Sequence, residues 1–198
     1  MASYVYFQFK LDFVPKNLEH YKEEFMKRLN LNSEDEGVKV IFWPEKEILP
    51  GKYRTAFYEI FFGNYIFIIS LDEPSFSLSV RFNDLRYEEF LDYISTHPYL
   101  QTLSARGYGD YYYDGVDDPF DYGFSTEIHP FNILTKEEAD QYDYKIEDIP
   151  ANFVKKTSTG GLIVSRGNKE FYDGPDTKEL KAYFEKVKKQ YNLENQGK

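Results

Sequence analysis

Five aspartates, Asp110, Asp114, Asp117, Asp118 and Asp121, crowd the stretch RGYGDYYYDGVDDPFDYGF from Arg106 to Phe124, among seven aromatic residues and with no cation after Arg106. Clustered carboxylates can hold a hard cation, act in pairs on a sugar, line a small-molecule pocket or meet a basic protein surface. Calcium loops place oxygens at alternating positions around a sharp glycine turn, and the intervals here do not follow that rule. Paired acids for glycoside hydrolysis need only proximity in space, which chain order leaves open. A basic protein partner needs carboxylates displayed among rigid ring anchors, charge steering the encounter and rings slowing dissociation. That last chemistry fits the segment best. The candidate partner-binding residues are Asp110, Tyr111, Tyr112, Tyr113, Asp114, Asp117, Asp118, Phe120, Asp121 and Tyr122. In extended backbone the middle ring of Tyr111-Tyr112-Tyr113 points opposite its neighbours, so at least one ring is expected to face outwards.

From Gly107 to Thr135 there are six acids and no lysine or arginine, against a net charge of -10 for all 198 residues. More than half of the excess charge therefore sits in one short window. An acidic chain has little to offer nucleic acid or an anionic membrane surface, both of which attract positive charge. The chain has no cysteine, so disulfides, thiolate metal sites and cysteine nucleophiles are excluded. The opening residues MASYVYFQFKLDF lack a basic stretch followed by a continuous apolar run, and no later run reaches the roughly 18 apolar residues of a membrane span. These features predict a soluble, cytoplasmic protein.

His20, His97 and His129 stand far apart in sequence, and neither a phosphate-binding glycine loop nor a Gly-x-Ser-x-Gly elbow is present. No catalytic residue, metal or cofactor is assigned on this basis. The expectation is a protein that binds rather than catalyses. The alternatives use the same acidic aromatic segment for carbohydrate or small-molecule binding, or for carboxylate-dependent hydrolysis.

The elements that must position this segment follow from periodicity. Tyr4 to Phe13 alternates apolar and polar residues, a half-buried strand. After Asn17, Leu18, Tyr21, Phe25 and Leu29 share one face of a helix running to about Asn30. Strands are predicted over Val38–Trp43, Lys52–Phe62, Tyr65–Leu71 and Phe76–Phe82, as an antiparallel meander with the apolar Tyr65–Leu71 at its centre. Trp43 and Tyr53 read as ordinary core or sheet aromatics. A second helix carries Tyr87, Phe90, Leu91 and Ile94 and stops at His97-Pro98, where the imidazole is placed to face terminal carbonyls. The aromatic acidic connection then runs to Phe124, followed by an extended piece near Ser125–Phe131 and a Thr-x-x-Glu capping box at Thr135. Gly160-Gly161 opens a strand. Asp176 and Glu179 are expected to cap a terminal helix lined by Leu180, Tyr183, Phe184, Val187 and Tyr191. The sum is one α+β domain over 1–198: a mainly antiparallel sheet with two or three amphipathic helices packed on one face.

A small, acidic, cysteine-free, ring-rich α+β chain of this kind resembles the immunity proteins of bacterial polymorphic toxin systems. Locally the likeness rests on Gly160-Gly161-Leu162-Ile163-Val164, the acidic turn after it and the final amphipathic helix. The resemblance implies stoichiometric occlusion: a basic protein partner, such as a cognate toxin, blocked by the acidic loop. It assigns no role to individual residues.

Overall fold

The computed structural model describes residues 4–71, 75–81, 87–109, 124, 126–166 and 177–189. The chain opens with β1 (Tyr4–Lys10) and α1 (Leu18–Arg28). It continues through β2 (Val38–Trp43), β3 (Lys46–Leu49), β4 (Lys52–Arg54), β5 (Phe57–Phe62), β6 (Tyr65–Ser70) and β7 (Ser75–Arg81). Then come α2 (Tyr87–Thr96), β8 (Ala105–Gly109), β9 (Phe131–Leu134), α3 (Lys136–Ala139), β10 (Phe153–Lys156), β11 (Leu162–Ser165) and α4 (Lys178–Val187). Among the described residues nine strands form one sheet in the order β10-β11-β9-β8-β1-β7-β6-β5-β2, and β3 pairs only with β4. The pairings between neighbours are antiparallel. The α+β class with a mainly antiparallel sheet is as the sequence predicts.

Period-2 alternation sorts the strands into two faces. On the first face Phe7 and Phe9 of β1, Phe67 of β6, Phe76 and Leu78 of β7, and Phe131 and Ile133 of β9 are buried with Tyr21 and Phe25 of α1 and Phe90 and Ile94 of α2. Ring geometry is close: Phe7 stacks on Phe90 at 4.5 Å between centroids and meets Phe131 edge-on at 5.0 Å. The Asn17 side chain accepts the His20 N–H at 2.8 Å, satisfying one orphan donor at the start of α1. The helix ends at Arg28, before Asn30 turns left-handed at φ 56°. On the second face a smaller core joins Leu134, Leu162 and Val164 to Ala139, Leu180 and Phe184. Two helices thus cover one face, as expected, and the terminal helix takes the opposite one.

Several expectations are corrected. Lys52–Phe62 is not one strand: the pairing lapses at Thr55-Ala56, opposite Pro44-Glu45, where proline cannot donate to a ladder. The result is a long hairpin, Val38–Leu49 against Lys52–Phe62, whose outer part, β3 and β4, forms a separate arm. Tyr65–Ser70 is third from one edge, because β1 inserts between β7 and β8 and takes the centre. The extended piece near Ser125–Phe131 lies later, at Phe131–Leu134. His97 Nδ1 accepts the N–H groups of Tyr99 at 3.2 Å and Leu100 at 3.3 Å. Burial lowers its pKa, and a hydrogen bond to the Leu29 backbone, at the end of α1 rather than α2, works the other way. The residue before α4 is Thr177, with no side-chain cap, and Asp176 and Tyr191 lie outside the described residues.

Candidate functional site

The acidic aromatic segment leaves the sheet from β8, and Arg106 to Gly109 belong to that strand rather than to a loop. The reason is local. Gly107 pairs with Phe7, and a Cβ at Gly107 would lie 2.2 Å from the Phe7 ring, so only glycine lets that ring cross the strand. The next residue back, Arg106, points to the other face, in register with Gln8 of β1 and Asn132 of β9.

Arg106 is 2% exposed, and each of its three side-chain nitrogens donates a hydrogen bond. Its Nε donates to the Glu127 carbonyl at 2.7 Å, Nη1 to the carbonyls of Ala105 at 2.9 Å and Ile133 at 3.1 Å, and Nη2 to Glu138 Oε1 at 3.2 Å. Ser104 Oγ donates to the same carboxylate oxygen at 2.8 Å. The Phe124 ring lies 5.5 Å from the guanidinium, within cation–π range. Burial pulls the guanidinium below its ordinary value and Glu138 pulls it back; a buried ion is tolerated only with such partners. Glu138 is also the capping-box residue of α3, its Oε2 accepting the Thr135 N–H at 2.9 Å. One carboxylate therefore starts a helix and neutralises the buried arginine.

These bonds join both ends of the acidic segment to one strand pair. β8 enters it at Gly109, and Phe124 and Glu127, on its far side, return to Arg106. A second lock follows: Asn132, fully buried, accepts the His129 N–H at 2.8 Å and donates to the His129 carbonyl at 2.7 Å. Burial, helped by the nearby cations Lys181 and Arg106, pushes the pKa of the His129 imidazole down to about 4, so it is neutral at pH 7.

Beside this foot lies a half-open cavity of about 320 Å³, floored by Ile128 and Phe184 and rimmed by Glu127, Tyr142, Lys181 and Lys188. Lys181 Nζ donates to Glu127 Oε2 at 3.1 Å and holds that carboxyl below the usual range. A pocket with an apolar floor and both signs of charge at its mouth can seat a polar side chain or a small zwitterion.

All ten residues proposed from sequence, Asp110, Tyr111, Tyr112, Tyr113, Asp114, Asp117, Asp118, Phe120, Asp121 and Tyr122, lie outside the described residues. What the structure brings together is their anchorage. Sequence reasoning missed Arg106, Glu127 and Glu138; the one available signal was that Arg106 is the last cation before a long cation-free window. Trp43 and Tyr53, expected to be ordinary core or sheet aromatics, sit on strands but are 38% and 59% exposed. Among the described residues, no cluster of three His, Cys, Asp or Glu could hold a metal ion, and no helix is long and apolar enough to cross a membrane.

No family model matches the chain, and neither a curated protein nor a solved structure matches it.

Proposed function

We propose that this chain is a non-catalytic binding protein of the immunity type, a stoichiometric inhibitor that blocks a basic protein partner such as a bacterial toxin with its acidic aromatic segment. The observation that carries this reading is the buried Arg106 hub, which ties the strand entering the segment and the residues leaving it to the same rigid sheet. A long surface connection is ordinarily costly to present in one place; anchoring both ends limits that cost. The aspartates supply fast, salt-sensitive association, and the tyrosines supply slow dissociation.

The test replaces Asp110, Asp114, Asp117, Asp118 and Asp121 together with Asn and compares tagged wild type and variant in pull-downs from the native cells. The expected outcome is a basic protein retained by wild type and lost by the variant, with both melting at similar temperatures. Equal retention, or empty lanes with both proteins, would sink the inhibitor reading. A second reading, small-molecule binding, is favoured by the cavity between Ile128 and Phe184; there the five-Asn variant would keep its ligand.

A further inference from the structure

The two ends of the nine-stranded sheet are built differently. At one end β10 has four residues, Phe153-Val154-Lys155-Lys156, and both lysines are exposed. Short, lysine-bearing edges are how sheets avoid joining other sheets. At the other end β2 runs six residues, VKVIFW, with one lysine, no proline and no bulge in its pairing with β5. Phe42 is 52% and Trp43 38% exposed on this edge, and the arm beyond it exposes Ile48, Leu49 and Tyr53. Among the described residues no strand pairs with the outer side of β2.

We infer that β2 is a docking edge for a second copy of this chain, the two β2 strands pairing antiparallel about a dyad at Ile41 and continuing one sheet into the next. In that register Ile41 faces its own counterpart, Val40 of one copy faces Phe42 of the other, and Lys39 faces Trp43. Each pair shares a face of the sheet: two set apolar against apolar, and the third brings the Lys39 ammonium, 5.9 Å from its own Phe61 ring, to the edge of a Trp43 ring that has Arg54 at 5.5 Å. Isologous pairing of this kind is the commonest route to a dimer.

Charge selects the second copy over the basic partner proposed above. The chain as a whole carries -10 and two copies repel. From Val38 to Phe62, however, four cations (Lys39, Lys46, Lys52, Arg54) stand against three carboxylates (Glu45, Glu47, Glu59). This hairpin is a region where two acidic chains can meet with little net charge between them, and it has no net acidity to draw a basic protein. Trp43 is also fixed in place. Its Nε1 donates to Glu59 Oε2 at 2.8 Å, and the Arg54 guanidinium lies 5.5 Å from its ring.

The experiment is sedimentation of the full chain over a concentration series up to about 1 mM, the weakest association worth calling specific, for wild type and Ile41→Lys. Ile41 lies on the second face, outside both buried clusters, so the substitution sets two ammonium groups against each other at the dyad without opening a core. Circular dichroism confirms that the variant is folded, and Phe42→Glu, an exposed position, serves as the second variant. The expected result is a wild-type dimer whose dissociation constant rises tenfold or more in both variants. A wild type that stays monomeric throughout the series, or a dimer indifferent to both substitutions, overturns the proposal. A monomer would leave the inhibitor reading standing, because the five-Asn variant tests a different part of the chain.

Discussion

The two faces of the sheet hold the fold together by different means. Under α1 and α2 the first face is a continuous aromatic layer in which Phe7, Phe9, Phe25, Phe67, Phe76 and Phe90 are 0–2% exposed. Under α3 and α4 the second face has a smaller aliphatic core, and beside it Arg106, Asn132 and His129 are buried as polar groups. The first solution stabilises through area removed from water and close ring contact. The second stabilises less per residue but specifies more, because each buried donor must find its own acceptor. The acidic segment is tied to the second face. Directional bonds fix the flanks of that segment, Arg106, Phe124 and Glu127, in a way an apolar surface would not.

The sharpest way to break this comparison is to remove one central residue from each face. Phe7→Ala should cost about 3–5 kcal/mol by leaving a cavity among rings that cannot all collapse, read as the loss of unfolding free energy in urea. Glu138→Ala should cost about 3 kcal/mol, the lower end of the range for breaking a buried pair, because Glu138 is 24% exposed and water can reach part of the site. The two should then diverge on repair. Arg106→Met combined with Glu138→Met should recover part of the loss, since it leaves no unpaired charge but takes the donor from the Glu127, Ala105 and Ile133 carbonyls and the cap from Thr135. If the double variant is no better than Glu138→Ala, the ion pair is not what makes the site fragile.

A smaller effect, in pH, sharpens the same contrast. His129 titrates near 4 in the folded chain and near 6.5 when unfolded. Between those values the unfolded state binds the extra proton, so stability falls as pH drops from about 6.5 towards 4, by up to about 3 kcal/mol. His129→Gln should flatten that part of the stability profile relative to wild type, while Phe7→Ala should shift the whole profile down without changing its slope.

Local features were legible in the sequence and long-range ones were not. The alternation of β1, the Asn17 cap, the apolar face of α1 and the Thr135 capping box all appear where residue spacing puts them. Each is decided within a turn or a strand. The same Thr-x-x-Glu spacing could not announce that Glu138 would also meet Arg106, because that contact spans thirty-two residues and depends on β8 lying beside β9. Gly107 is a similar case: in the sequence it is one more residue of the acidic aromatic connection, and in the fold it makes room for Phe7. Arm strand β3 escaped notice because Lys46-Glu47-Ile48-Leu49 has no alternation and follows a proline.

The position of β1 has a consequence for how the chain is made. Of the strands described, β1 comes earliest in chain order yet lies in the middle of the sheet, and its partners are β7, opposite Leu78, and β8, opposite Gly107. At about 5–20 residues per second, Phe7 and Phe9 wait several seconds for either neighbour to be synthesised. The β5-β6-β7 meander forms from contacts close in sequence once β7 is made, while β8 is still to follow. The pairing of β1 with β7 and β8 joins residues far apart in the chain, so the aromatic layer of the first face shuts only when these long-range contacts form.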